Sequence, residues 1–327
     1  MEKKIIAAGM MACMLGAGAN AQTENANAPK GEAIVQVFTN FHTGFGDDNH
    51  KRGFDLDRSY LGYQYHLGNG LTLKGVMDVG QSNDVNDYQR IAYIKNAMLT
   101  WKTGKWTLNG GLISTNQFNM QEKFWGYRYV SKSFQDQYKF GSSADLGVSA
   151  AWKACNWLTA DAIIVNGEGY KKVQVEDGLL YGVGATITPV SGLSLRLYAG
   201  INEQPAAGAK DVMNYAAFAG YKGKNFSIGA EYNIMSNASG VKDHDQSGFS
   251  VYGKVGIDKN ADVFARFDDL SSKDDWNKKK DESAMIVGAQ WKLGKYVKLA
   301  PNFRMSMPKA DGADNKYSAY LNCSFGL

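Results

Sequence analysis

Cysteine is nearly missing from this chain of 327 residues: there are three, Cys13, Cys155 and Cys323. Cys155 and Cys323 are too isolated to build a disulfide framework. Histidine is also scarce, at His42, His50, His66 and His244. None of these has metal-ligand spacing, and there is no cysteine pair to complete a site. No nucleophile elbow, phosphate loop or dinucleotide fingerprint occurs, so neither a cofactor nor a catalytic set is expected. A catalytic barrel that assembles His with Ser or Asp from separate strands would leave no local signature and stays open as an alternative, as does an adhesive barrel. Beyond the N-terminal segment no run approaches eighteen apolar residues, which excludes a membrane-spanning helix. The net charge is small, +4, from 36 basic and 32 acidic residues. Removal of Glu2, Lys3 and Lys4 leaves 34 against 31, or +3, too mild for nucleic-acid binding.

The first residues, Met1 to Ala21, carry two lysines, an apolar run from Ile5 to Leu15, and Ala19-Asn20-Ala21 before Gln22. That is the pattern of a cleaved secretory signal peptide, followed by a short periplasmic segment over 22–32. A lipid-attached form cut before Cys13 is the alternative, although it would leave a very short apolar region. The remainder is rich in glycine (37) and in Tyr plus Trp (18 and 7), but holds only 5 prolines, a balance that favours extended sheet.

Strict two-residue alternation recurs along the chain. In Lys316 to Leu327, Tyr317, Ala319, Leu321, Cys323 and Phe325 alternate with Lys316, Ser318, Tyr320, Asn322 and Ser324. Side chains of a strand point to opposite faces at period two, so such a segment has one apolar and one polar face. Sixteen segments of this kind begin near residues 33, 54, 71, 90, 106, 142, 157, 179, 193, 213, 225, 247, 261, 282, 296 and 316. Short turns such as Gly68-Asn69-Gly70 and Thr103-Gly104-Lys105 alternate with longer polar connections such as Gly167 to Gly178 and Ser236 to Gln246. Short connections at one end and long ones at the other are the asymmetry of an outer-membrane barrel.

A soluble sandwich also alternates, but sixteen strands would require two or more domains, and no linker or composition shift divides this chain. A closed sheet satisfies every backbone group within the protein, as lipid demands. The reading is therefore an all-β transmembrane antiparallel barrel over 33–327, apolar face outward, with the last strand closing against residues 33 to 45. Trp101, Trp106, Trp152, Trp157, Tyr221, Phe226, Trp291 and Tyr296 flank the short turns, where an interfacial girdle belongs.

One connection stands out. Ser114 to Gly141, STNQFNMQEKFWGYRYVSKSFQDQYKFG, is about twice as long as any other and carries seven aromatic residues besides Trp125. So aromatic and charged a loop is expected to fold into the barrel near 114–141, with Lys123, Arg128 and Lys132 at the constriction; an external lid is the alternative. The inward face is expected to carry Arg58, Lys74, Lys153, Arg196, Lys222, Lys254, Arg266, Lys292, Lys298 and Arg304 against Asp78, Asp145, Asp161, Glu231 and Asp268. Cations outnumber carboxylates, which predicts a mild anion preference. Asp243, Asp245, Asp274 and Asp275 are loop carboxylates that could meet calcium or simply be solvated.

Several stretches resemble the phosphate-selective porin O and P family in its Bacteroidetes-type version. They are Gly126-Tyr127-Arg128-Tyr129-Val130, Ser143-Ala144-Asp145-Leu146-Gly147-Val148, Asn166-Gly167-Glu168-Gly169, Ala265-Arg266-Phe267-Asp268 and Ser271-Ser272-Lys273-Asp274. The resemblance implies a sixteen-stranded, commonly trimeric channel for small anions in the bacterial outer membrane. The family's phosphate selectivity depends on a dense arginine ladder, whereas this chain has seven arginines and ends on Gly326-Leu327 rather than an aromatic residue. The expected function is passive diffusion of small hydrophilic solutes, with a channel specific for phosphate, polyphosphate or sugars as the alternative. The expected partners are outer-membrane lipid, small anions, the barrel-assembly machinery during insertion, and two further copies in a homotrimer.

Overall fold

A computed structural model describes residues 30–46, 49–81, 89–175 and 177–327. The expected signal peptide, residues 1–21, and residues 22–29 of the expected periplasmic segment lie outside the described residues. The strands are β1 (Lys30–Phe45), β2 (Arg52–Gly68), β3 (Leu71–Gln81), β4 (Arg90–Thr103), β5 (Trp106–Ser114), β6 (Ala144–Lys153), β7 (Leu158–Val165) and β8 (Leu180–Ile187). They continue as β9 (Leu193–Asn202), β10 (Val212–Lys222), β11 (Phe226–Ser236), β12 (Gln246–Gly256), β13 (Ala261–Ser272), β14 (Glu282–Leu293), β15 (Val297–Pro308) and β16 (Lys316–Gly326). Every strand begins within three residues of the position read from alternation, with the largest offset at β1, where Lys30–Glu32 are already strand.

Each strand pairs antiparallel with its sequence neighbours, and β1 pairs with β16, so the sheet is a closed barrel. The seam runs from Gln36 opposite Gly326 to Phe45 opposite Tyr317. Gly326 is required there: a Cβ on it would lie 2.1 Å from the Val35 carbonyl oxygen. The short turn 68–70 is held by three successive residues at positive φ, Gly68, Asn69 and Gly70. Such backbone suits tight hairpins and favours Gly and Asn.

The faces are inverted relative to a soluble sheet. Leu197 is 58 % and Val287 46 % exposed on the outside, while Asn322 on the inner face is 1 % exposed. The eight girdle aromatics all lie exposed beside short turns, and Trp106 stacks on Trp152 across two strands at 6.0 Å.

The core of the molecule is inside the barrel. The 115–143 connection folds inward, with two short helices, α1 (Asn119–Trp125) and α2 (Phe134–Gln137). Phe124 meets Phe218 at 4.9 Å, Trp125 packs on Tyr252 and Phe264, and Tyr127 stacks on Phe264 at 4.2 Å. Tyr129 leans on Phe38, which also meets Tyr60. Behind α2, Phe134 and Phe140 close a second cluster with Val212, Met235 and Leu270. The inner wall is thus not polar throughout, as alternation alone suggests: where this inner loop covers it, the wall turns aromatic. Each ring so buried contributes about 1.5–3 kcal/mol to docking.

Candidate functional site: the constricted passage and its charges

The loop is also pinned by polar contacts from inward wall residues. Tyr127 donates its hydroxyl to Asp262, and Tyr129 donates to Gln290 Oε1 at 2.8 Å. Burial, reinforced by the bond to Asp262, pushes the Tyr127 phenol well above its ordinary pKa and keeps it a donor. Three wall arginines bond loop carbonyls: Arg196 to Asn116 O (2.6 Å), Arg304 to Val130 O (2.7 Å), and Arg266 to Lys132 O.

These contacts change what several expected pore-wall residues do. Arg196 is paired with Asp161 at 2.7 and 3.0 Å, and Arg266 grips Asp268 at 2.8 and 2.6 Å. Arg196, Arg266 and Asp268 are buried and the Asp161 side chain is nearly so, so both pairs lie under the loop rather than turned to open solvent. Arg304 lies flat on the Tyr320 ring at 3.6 Å and bonds Asn302 and Asn322. Asp145 accepts the backbone N–H groups of Leu146, Gly167 and Gly169, which sets the start of the 166–179 connection. That connection sends Tyr170 inward to donate to Asp78 Oδ2 (2.6 Å), the same oxygen that receives Arg58 Nη1 (2.9 Å).

The three loop cations do not meet at one point. Arg128 pairs with Asp136 (2.9 Å) and Glu122 (3.5 Å), and Lys132 lies 3.7 Å from Asp136. Both lie within electrostatic reach of Arg58 on β2 and of one another. Burial holds the Lys132 ammonium below its ordinary pKa, with Asp136 opposing that shift. Lys123 is elsewhere, beneath the loop at the short-turn end.

Lys95 was missed by the sequence reading. Between β3 and β4 the register skips it: Val76 pairs with Asn96 and Met77 with Ile94. This bulge leaves both Lys95 and Asn96 inside. Lys95 Nζ lies 3.3 Å from Tyr60 Oη and 4.6 Å from the ring centroid, on the wall that Arg128 faces. The available signal was a phase slip in IAYIKNAMLTW, where Ile94 and then Ala97, Leu99 and Trp101 are the outward residues.

Below the loop, a cavity of about 640 Å³ opens toward the short turns. Lys123, Lys222, Lys254 and Lys292 line it, with Lys222 over the Phe124 ring (4.4 Å) and Lys254 over Tyr127 (5.9 Å). Its carboxylates are Asp262, occupied by Tyr127 and Gln290, and Asp258, which caps backbone N–H groups of its own turn. Lys298 adds to the same field through Lys254 and Lys292, and Lys74 faces Lys95. Among the described residues none of these lysines forms an ion pair. On the long-loop side a second cavity, about 770 Å³, is lined by Tyr138, Lys139, Lys172, Glu168, Glu203 and several amides.

The loop carboxylates are dispersed. Asp245 pairs with Lys273 at 3.7 Å and Asp275 with Lys278 at 3.4 Å, and among the described residues no group of three or more His, Cys, Asp or Glu is placed to hold a metal ion.

No protein-family model and no curated protein matches the sequence. Solved structures do match in fold. The chain is similar to an anion-selective porin from Comamonas acidovorans, with TM-score 0.70 and 13% identity over 92% of this chain and 100% of that one. It is similar to the outer-membrane channel DcaP of Acinetobacter baumannii (TM-score 0.69, 12% identity, 94% and 100% covered). A third is OmpF of Salmonella typhi, solved with daunomycin (0.68, 10%, 94% and 100%). The fold is the closed sixteen-stranded antiparallel barrel of outer-membrane porins.

Proposed function

We propose that this chain is a porin of the bacterial outer membrane, exported with a cleaved signal peptide, through which small hydrophilic solutes diffuse with a mild preference for anions. No chemical step is part of this reading. The observation that carries it is the imbalance along the passage. Arg58, Arg128, Arg196 and Arg266 are bound to carboxylates, whereas Lys95, Lys123, Lys222, Lys254, Lys292 and Lys298 have none. Unpaired cations in a passage with low-dielectric walls raise the local anion concentration. Arg128 and Lys132 with Arg58 and Lys95 form the candidate constriction, and the lysines below it line the exit.

A channel specific for phosphate would need guanidinium groups free to grip it bidentately. Here those groups brace the wall and the loop, which favours general diffusion. The porin fold also supports lipid around the barrel, insertion by the barrel-assembly machinery, and a homotrimer. Purified protein in planar bilayers under a potassium chloride gradient tests the reading. A zero-current potential reporting chloride more permeant than potassium is expected, without block by submillimolar phosphate. Cation preference would overturn it.

A further inference from the structure

Between the inner loop and β10–β12 lies a seam of buried polar atoms that have no partner in the protein. Gln121 and Gln135 contribute from the loop, and Asn214 Oδ1, Glu231 Oε1, Asn233 Oδ1 and Ser250 Oγ from the wall. Glu231 is 3 % exposed, and Asn233 and Ser250 are 0 % exposed. Water can serve neutral orphans of this kind, but it cannot neutralise a carboxylate, and an isolated buried charge is far more costly than an unpaired neutral group.

The neighbours leave Glu231 without a basic partner. Across the sheet it stands opposite Ser250, and Ser250 stands opposite Asp268. Both Asp268 oxygens are held by Arg266, whose remaining Nη1 bonds Lys132 O. That guanidinium bonds Asp268 and the Lys132 carbonyl and reaches Glu231 only electrostatically, and two carboxylates against one guanidinium leave a single negative charge. From the loop, the Gln135 amide N–H faces Glu231 and favours its charged form, but it is neutral and adds no positive charge, and its Oε1 is held by Gln117 at 2.8 Å. Glu231 Oε2 accepts from Asn233 Nδ2 at 3.1 Å, which orients the Asn233 Oδ1 as a free acceptor.

We propose that Glu231, Asn233 and Ser250 hold one monovalent alkali cation, Na⁺ or K⁺, in this seam. The available donors are oxygens, the ligand type of hard cations, with neither sulfur nor imidazole among them. Charge selects the valence: one positive charge balances the cluster, whereas a divalent ion would leave an excess beside Arg266. Asn214, diagonal to Asn233 on the same inner face, and water complete the shell. The ion ties the three wall strands β10, β11 and β12 together behind the loop, so it stabilises the surface on which the constriction rests rather than taking part in conduction.

Crystals of the full protein grown in thallium(I) acetate test the site. An anomalous peak touching Glu231 Oε1 and Asn233 Oδ1 is expected in the wild type and should be lost in Glu231→Gln. Should that variant not fold, Ser250→Ala, which removes one oxygen and little bulk, should lower the peak. In bilayers, replacing sodium chloride by choline chloride should raise the frequency of brief wild-type closures several-fold, while Glu231→Gln shows one frequency in both salts. No peak in the wild type, a peak of wild-type height in either variant, or equal wild-type closure in both salts would overturn the proposal. The last result would mean that Glu231 is neutralised by a proton, which Glu231→Gln would imitate.

Discussion

Lys222, Lys254 and Arg196 look alike in sequence, as cations at inward positions of strands, yet their surroundings separate them. The two lysines lie over aromatic rings of the loop and pair with no carboxylate, Asp258 and Asp262 of the same cavity being bonded elsewhere, so theirs is the charge proposed to act on the passage. Arg196 is enclosed with Asp161 and Asn116. The triple variant Lys222→Gln, Lys254→Gln and Lys298→Gln should lower the chloride-to-potassium permeability ratio by a factor of about 2 to 3 at 0.1 M salt and less at 1 M, where screening is shorter-ranged. Zero-current potentials at the two salt concentrations check this. Arg196→Gln should instead destabilise the protein by about 3–5 kcal/mol by leaving Asp161 buried and unpaired, visible as a lower unfolding midpoint. If Arg196→Gln changed selectivity at full stability, the pair would face the solute path. Sequence pattern placed these cations on the right face but carried no information on pairing, since Arg196 and Asp161 meet across an intervening strand, β8, from 35 positions apart.

The inner loop behaves as an element with its own core. Trp125 is buried against Tyr252, Phe264 and Tyr127 and donates its indole N–H to Ser131 O at 2.9 Å. Trp125→Ala should cost about 3–5 kcal/mol of docking. In bilayer recordings it should appear as noisier current and higher mean conductance while the strands remain paired. Replacing residues 119–135 by a short Gly-Ser bridge should raise conductance further, reduce anion preference and lower the thermal midpoint, because Phe38, Phe218 and Phe264 lose their cover. Unchanged conductance in both variants would remove the constriction role. Inward folding of the loop was legible from its length and aromatic content. The receiving surface was not: Phe218, Tyr252, Phe264 and Ile286 read in their own strands as stray apolar residues on a polar face, and they become a surface only when β10–β14 stand side by side.

For the whole molecule, strand positions and barrel closure followed from alternation because an apolar outer face and a largely polar inner face impose it on every strand. Bulges escaped, since each slips the phase by a single residue, as at Lys95 and at Asp57 between β1 and β2. The assignment of faces has a direct check. Leu197→Arg and Val287→Arg, both outward near the middle of their strands, should each cost about 2–4 kcal/mol in lipid, whereas Ser194→Arg on the inner face should be tolerated. Folding titrations in vesicles measure the difference, and equal tolerance would reverse inside and outside.

The hydrogen-bonded seam between β1 and β16 also makes the chain a ring in space, with covalent continuity interrupted at only one of its sixteen joints. A ring of paired neighbours has no privileged opening. Linking residue 327 back to residue 30, by a tether long enough to run beside Lys30–Val35, and cutting instead within the exposed 205–208 stretch would leave all sixteen strand pairings intact. Such a permuted chain should reach the same barrel and carry the same current, and only the order in which strands become available to one another would differ.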